Sequence, residues 1–130
     1  MDDVERIRLP GGRRLAFEEC GDPDGFPLLF FHGVPGSRTM GRVLDDAAAE
    51  AGVRVIAPDR PGCGGSTYQV RRRIRDWPGD VAALAVVLEL EAFAVLGRGG
   101  GAAYALACAH DLLDRLTATG VVSPVPPPSV

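Results

Sequence analysis

The chain has 130 residues, of which 46% are apolar and 24% charged, and its formal net charge is −3. This length suits a single domain that buries roughly two thirds of its unfolded surface. The charge argues against nucleic-acid or anionic-membrane partners, and no apolar run reaches the roughly 20 residues of a membrane span. Three cysteines without a Cys-x-x-Cys pair, and no apolar N-terminal signal segment, predict a cytoplasmic protein.

The first elements are predicted to be a β-hairpin and a buried strand. Residues 7–9 and 15–17, separated by the Pro-Gly-Gly turn at residues 10–12, are predicted to form hairpin strands with alternating faces. A Gly/Asp/Pro turn at residues 21–25 ends the hairpin. The continuous apolar run at residues 28–31 is typical of a strand buried on both faces of a sheet.

An amphipathic helix is predicted next, after a loop over residues 32–36. Ser37 suits its N-cap, and Gly52 follows its last turn. The next strand is predicted at residues 53–57, and a loop rich in proline and glycine follows it at residues 58–66. The apolar residues that recur at helical spacing are Met40, Val43, Leu44, Ala47, Ala48 and Ala51.

The remaining elements continue the alternation of strand and helix. Asp76 and Pro78 mark a helix start, and a strand begins at Phe93. A further helix runs to about His110, and a last strand covers Leu116 to Val122. The residues expected on the buried face of the first of these helices are Val81, Leu84, Ala85 and Leu88.

This order predicts an α/β fold with a mostly parallel sheet, an N-terminal β-hairpin and helices on both faces. The domain is expected to span residues 1–123. Residues 124–130 are rich in proline, which can continue neither a strand nor a helix, so they are expected to form a disordered tail.

The most informative segment is the glycine corner, defined as residues 97–101, which lies between an apolar strand and a helix of small residues. Glycines allow a tight turn there, and the free N–H groups at the helix start can face an anion or an oxyanion. In Gly-x-Ser-x-Gly nucleophile elbows this turn carries a serine at its middle position. Here that position is Gly99.

Four segments in the same order closely resemble the N-terminal half of the α/β-hydrolase fold family. They cover residues 31–38, 55–66, 76–84 and 95–109, and include Phe-His-Gly-Val-Pro-Gly-Ser and Pro-Asp-Arg-Pro-Gly-Cys-Gly-Gly-Ser. Each segment alone is weak evidence for the family, but the order and spacing of all four together are highly specific for it. The resemblance spans nearly the whole chain.

The resemblance implies a role for several positions. It places a pocket loop at His32 and Gly33, oxyanion-hole N–H groups at Val34 and Gly100, and the nucleophile at Gly99. Family members take their acid and catalytic histidine from later strands, which correspond to positions beyond residue 130, and their lid lies there too. The resemblance therefore predicts a truncated hydrolase-like protein that is inactive as given, without a metal or another cofactor.

Other side chains that could carry chemistry have structural interpretations. Ser37 and Ser66 are the nearest hydroxyls, but a cap and a turn role fit them better. Asp59 and Arg60 are expected to form a local ion pair or a turn hydrogen bond. Nothing nearby in the sequence activates the thiol of Cys63.

The two histidines and the arginine run are also expected to have no catalytic role. His32 is expected to organise its loop rather than to act as a base, and His110 does not match the family's catalytic histidine. The arginine run at residues 71–73 is expected to be a solvated face, with phosphate contact as a minor alternative.

Several functions stay open. The chain is an inactive remnant, a hydrolase-like enzyme that is completed by another chain or uses an unconventional nucleophile, or a module that binds a small ligand or an anion. Gly97, Gly99 and Ala102 also fit a dinucleotide fingerprint, but no acidic residue ends the next strand. An uncovered sheet face and last strand are expected to drive self-association or recruitment of a partner.

Overall fold

A six-stranded sheet organises the chain, and the computed structural model describes residues 4–124. The strand order is β1-β2-β4-β3-β5-β6. β1 pairs with β2, and β2 with β4, in antiparallel fashion, whereas the pairs β4-β3, β3-β5 and β5-β6 are parallel. The strands are β1 (Glu5–Arg8), β2 (Arg14–Gly21), β3 (Phe26–Phe31), β4 (Val53–Pro58), β5 (Phe93–Arg98) and β6 (Leu116–Val122).

This architecture confirms the predicted fold class and hairpin. β6 has the bounds expected from the sequence, and it pairs with β5 alone among the described strands. The helices are α1 (Asp45–Ala51), α2 (Trp77–Val87) and α3 (Ala102–Asp111). No helix among residues 4–124 has the length and apolarity that crossing a membrane requires. Residues 125–130 of the predicted tail lie outside the described part.

The predicted helix after Ser37 is two elements rather than one. A 3-10 helix covers Arg38–Leu44, and α1 follows it. Because a 3-10 turn holds 3.0 residues instead of 3.6, the helical spacing inferred from the sequence shifts there. Val43, expected on the apolar face, is 74% exposed, while Gly41 is buried. Gly52 ends α1 in the left-handed conformation, as predicted.

The helix start predicted at Asp76 and Pro78 is confirmed, because α2 begins at Trp77 with Asp76 at its N-cap position. Asp76 does not cap α2 with its side chain. Its carboxylate instead accepts a hydrogen bond from the N–H of Arg73 at 2.8 Å, which caps a short 3-10 turn at Ile74–Asp76. Pro78 lies in the first turn of α2, as predicted, where its missing N–H leaves no bond unmade.

The two faces of the sheet are covered unequally. α2 and α3 cover one face with a large apolar core that includes Phe31, Trp77 and Phe93. On the other face, α1 and the 3-10 helix cover a small cluster around Phe30. Beside that cluster lies a cleft of about 180 Å³, the open groove, which is lined by Leu28, Leu44, Ala47, Ala48, Val53, Val55 and Leu96.

Candidate active-site corner

The glycine corner lies where β5 meets α3, at the carboxyl edge of the parallel strands. Gly99 adopts φ +56°, in the left-handed region, and begins a 3-10 turn that leads into α3. A Cβ at Gly97 would lie 2.7 Å from the Cα of Ala102, so strand and helix touch through their backbones. A Cβ at Gly99 would meet only the Cα of Gly33, at 3.8 Å. The corner has the turn of a nucleophile elbow and room for a side chain.

The loop after β3 lies directly against this corner. A Cβ on Gly33 would lie 3.2 Å from the carbonyl oxygen of Arg98 and 3.8 Å from the nitrogen of Gly100. A Cβ on Gly100 would in turn lie 3.8 Å from the nitrogen of Val34. The structure thus brings the backbone of Val34 close to that of Gly100 at the glycine corner. Val34 is 76% exposed, so this part of the loop faces solvent.

His32 is fully buried and connects two loops. Its Nδ1–H donates to the carbonyl oxygen of Gly33 at 2.9 Å, and its Nε2 accepts from the N–H of Arg60 at 3.1 Å. These two partners require the neutral ring with its proton on Nδ1. Burial lowers the pKa of His32 below its usual 6.5, and the charge of Arg60 acts in the same direction. His32 therefore organises its loop, in line with the interpretation from the sequence.

Asp59 connects the loop after β4 to the start of the 3-10 helix. Its buried carboxylate accepts the N–H of Arg38 at 2.6 Å, the Nη1 of Arg38 at 2.7 Å and the N–H of Gly65 at 2.8 Å. Of the two expected alternatives, the local hydrogen bond occurs, to the N–H of Gly65 in the same loop. The ion pair is made with Arg38 of the 3-10 helix, 21 residues away, rather than with Arg60. No short-range pattern marks Arg38 as this partner.

Arg60 is also buried, and it packs on an aromatic ring. The centre of its guanidinium lies 4.5 Å from the ring centroid of Tyr104, in the first turn of α3. The Nε and Nη2 of Arg60 have no hydrogen-bond partner among the described residues. The π face of Tyr104 offsets part of the cost of burying this charge. Sequence reasoning missed this contact.

The alternative nucleophiles have the structural roles expected of them. Ser37 caps the 3-10 helix by accepting the N–H of Thr39 at 3.3 Å. Ser66 donates to the carbonyl oxygen of Asp59 at 2.7 Å and accepts the N–H of Ala16 at 2.9 Å, so both functions of its hydroxyl are used. Cys63 is a free, half-buried thiol.

The second histidine and the arginine run lie apart from the corner. His110 is exposed near the end of α3 and pairs with Asp111 at 2.6 Å. Arg72 donates to the carbonyl oxygen of Pro61, and Arg73 pairs with Asp76, so part of the run contacts its own chain. Arg98 is exposed beside Gly99. No group of three or more candidate ligands that could hold a metal ion occurs in residues 4–124.

This fold and corner define a hydrolase-like α/β protein, and the comparisons agree. The family described as alpha/beta hydrolase fold matches residues 27–121. The chain belongs to this family.

Individual relatives have different names. A proline iminopeptidase of Xanthomonas citri is 34% identical over 111 residues, covering 81% of this chain and 34% of the relative. Epoxide hydrolase A of Mycobacterium tuberculosis is 34% identical over 83 residues, covering 58% of this chain and 26% of the relative. The chain thus spans about a third or less of these two curated relatives.

Solved structures of hydrolases superpose on this chain over part of their own length. The epoxide hydrolase CorEH superposes with a TM-score of 0.84 at 28% identity, over 95% of this chain and 42% of that one. An esterase from Thermogutta terrifontis superposes with a TM-score of 0.80 at 30% identity, over 99% of this chain and 48% of that one. The match therefore covers the described fold and part of each neighbour.

Proposed function

We propose that this chain carries the oxyanion-binding scaffold of an α/β-hydrolase but performs no hydrolysis through a covalent intermediate at the corner. The observation that supports this is Gly99, which takes the left-handed backbone of the elbow without a side chain to attack a substrate. Covalent catalysis needs an activated hydroxyl, thiol or carboxylate at that place. The proposal concerns position 99 and applies equally to any longer protein that contains this corner.

The oxyanion-binding part rests on backbone geometry. The N–H groups of Val34 and Gly100 would stabilise a negative oxygen held between them, as amide donors do in acyl-transfer enzymes. In triad enzymes such donors and substrate binding leave an acceleration of roughly 10³ to 10⁴ over water when a triad member is lost. That acceleration also requires a bound substrate, so we expect no measurable turnover from the corner alone. The relatives have names with different substrates, so we propose no substrate.

The test uses a serine-directed fluorophosphonate probe and a small activated ester with the full chain. We expect no covalent adduct and no turnover above buffer. Gly99→Ser has room for its side chain but is also expected to remain inactive, because a hydroxyl needs a base within roughly 2.6 to 3.2 Å. His110 lies eight residues beyond the start of α3, roughly 12 Å along the helix.

Gly99→Ala is the matched control, since it introduces the same backbone strain without a hydroxyl. A stoichiometric adduct on Ser37, Ser66 or Ser123 in the wild-type chain would overturn the proposal. Turnover by Gly99→Ser that is lost again in the double variant with His110→Ala would show that the exposed histidine serves as a base.

Binding of a small anion at the corner is a second candidate function. The open space at Gly99 favours it, because the backbones of Val34 and Gly100 lie close together next to this position. Titration of the ¹⁵N-labelled chain with acetate, and separately with inorganic phosphate, should give saturable shifts at the amides of Val34 and Gly100. Shifts spread evenly over the protein would reject it.

A further inference from the structure

His32 occupies a position that the proposed function does not use. It is one of the fully buried polar side chains of the chain, and it lies at the point where the loop 33–37 meets the loop 59–66. The first loop carries Val34, and the second carries Asp59. A change in the protonation of the His32 ring therefore affects both loops, of which the loop 33–37 lies against the glycine corner.

The two hydrogen bonds of His32 are possible in one protonation state only. Nδ1 faces a carbonyl oxygen, which accepts, and Nε2 faces the N–H of Arg60, which donates. A proton added to the ring would go to Nε2, the only nitrogen that is free to take it. Two N–H groups would then face each other across 3.1 Å, and the bridge between the loops would be lost.

The charges around the ring oppose its protonation on balance. Arg60 and Arg72 disfavour a positive ring, whereas Asp59 favours one. The carboxylate of Asp59 is already held by Arg38 and by the N–H of Gly65, and the Arg60 guanidinium rests on Tyr104 of α3.

We propose that His32 is a proton-sensitive latch: its neutral ring joins the loop 33–37 to the loop 59–66 beside the glycine corner, and its protonation releases them. The latch is a property of these two loops, so it goes beyond the proposed function and does not depend on it. Acid would loosen the loop that carries Val34 while the sheet stays folded, since the core under α2 and α3 takes no part in the bridge.

Amide exchange of Arg60 measures the latch directly. With the pKa of the buried ring lowered, the opened state binds a proton more readily than the closed state. The opening constant of the Arg60 amide should then rise up to about tenfold per pH unit below about pH 6.5 and stay constant above it. Rates are corrected for intrinsic exchange, and the amides of β5 serve as an internal reference that should not follow this slope.

Two variants of the full chain complete the experiment. His32→Gln places an amide that does not titrate at the same position, and it should remove the slope. His110→Gln removes the exposed histidine and should leave the slope unchanged. Ring ¹⁵N shifts of the wild-type chain, which do not depend on either variant folding, should report the Nδ1–H tautomer at neutral pH and a titration together with the opening of Arg60.

Three results would overturn the proposal. One is a ring that titrates while the exchange of Arg60 stays constant. Another is the same slope in His32→Gln. The third is a ring that stays neutral until β5 itself unfolds, because no local release would then exist.

Discussion

The face of the sheet under α2 and α3 is held by large apolar side chains, among them Trp77 and Phe93. The opposite face, under α1, combines a smaller apolar cluster with ion pairs, such as Arg38 with Asp59 and Arg42 with Glu18. Apolar burial is insensitive to pH and salt, whereas ion pairs respond to both. The face under α2 also holds an ion pair, between Arg13 and Asp80 at 2.7 Å. The comparison therefore assigns most of the apolar burial to one face, while both faces contain ion pairs that respond to solution conditions.

The largest expected effect tests the ion pairs. Asp59→Ala should lower the free energy of unfolding by about 4 kcal/mol, because it removes the nearer counter-ion of the partly buried Arg38, leaving Glu18 at 3.9 Å, and the acceptor of two N–H groups. Urea unfolding measures this change. Asp45→Ala, which removes an exposed carboxylate that accepts the N–H of Gly21, is the control and should have a much smaller effect. Equal effects would contradict a special role of the buried pair.

Substitution of two neighbouring leucines of β3 allows a direct comparison of how tightly the two sheet faces are packed. Leu29 is fully buried in the core under α2 and α3, whereas Leu28 lines the open groove. Leu29→Ala should cost about 3 kcal/mol of unfolding free energy, and Leu28→Ala about 1 kcal/mol, because a half-exposed side chain leaves a smaller cavity. Both variants are measured by the same urea titration. Similar losses would mean that the groove is packed as tightly as the core.

The open groove and the edge of β6 predict association. Val121 and Val122 of β6 are 41% and 47% exposed, and Leu96 lies on the sheet beside the groove. We expect the chain to self-associate in sedimentation velocity, and Leu96→Asp to raise the dissociation constant at least about tenfold. Val86→Asp places the same charge on the exposed side of α2 and should have no effect. A wild-type monomer that binds no hydrophobic dye would reject this expectation.

The smallest effect concerns pH. Hydrogen bonds from Arg42 hold the pKa of Glu18 below its usual 4.5, against the opposing effect of burial. Because the folded pKa is the lower one, the stabilisation is present above about pH 4.5 and is lost as pH falls through the lowered value. Glu18→Gln should reduce this loss by a few tenths of a kcal/mol. Unfolding curves between about pH 6 and about pH 3 measure it, with Glu50→Gln on α1 as control.

Short patterns in the sequence determined the elements that depend on neighbouring residues. The Pro-Gly-Gly turn at residues 10–12, where Gly11 and Gly12 take positive φ, indicated the hairpin, and the end of α1 at Gly52 needs only a residue that accepts a positive φ. The glycine corner is also local, since Gly99 must itself take the left-handed turn between β5 and α3. These features follow from backbone preferences over a few positions, and the order of the motifs was enough to indicate the family.

The tertiary structure alone decided which distant groups meet. Asp59 selects Arg38 rather than its neighbour Arg60, because the 3-10 helix carries that arginine onto the loop after β4. The ring of His32 reaches the N–H of Arg60, 28 residues away, because parallel β3 and β4 end at the same edge of the sheet. Such contacts depend on how whole elements pack, and that information is absent from any short stretch of sequence.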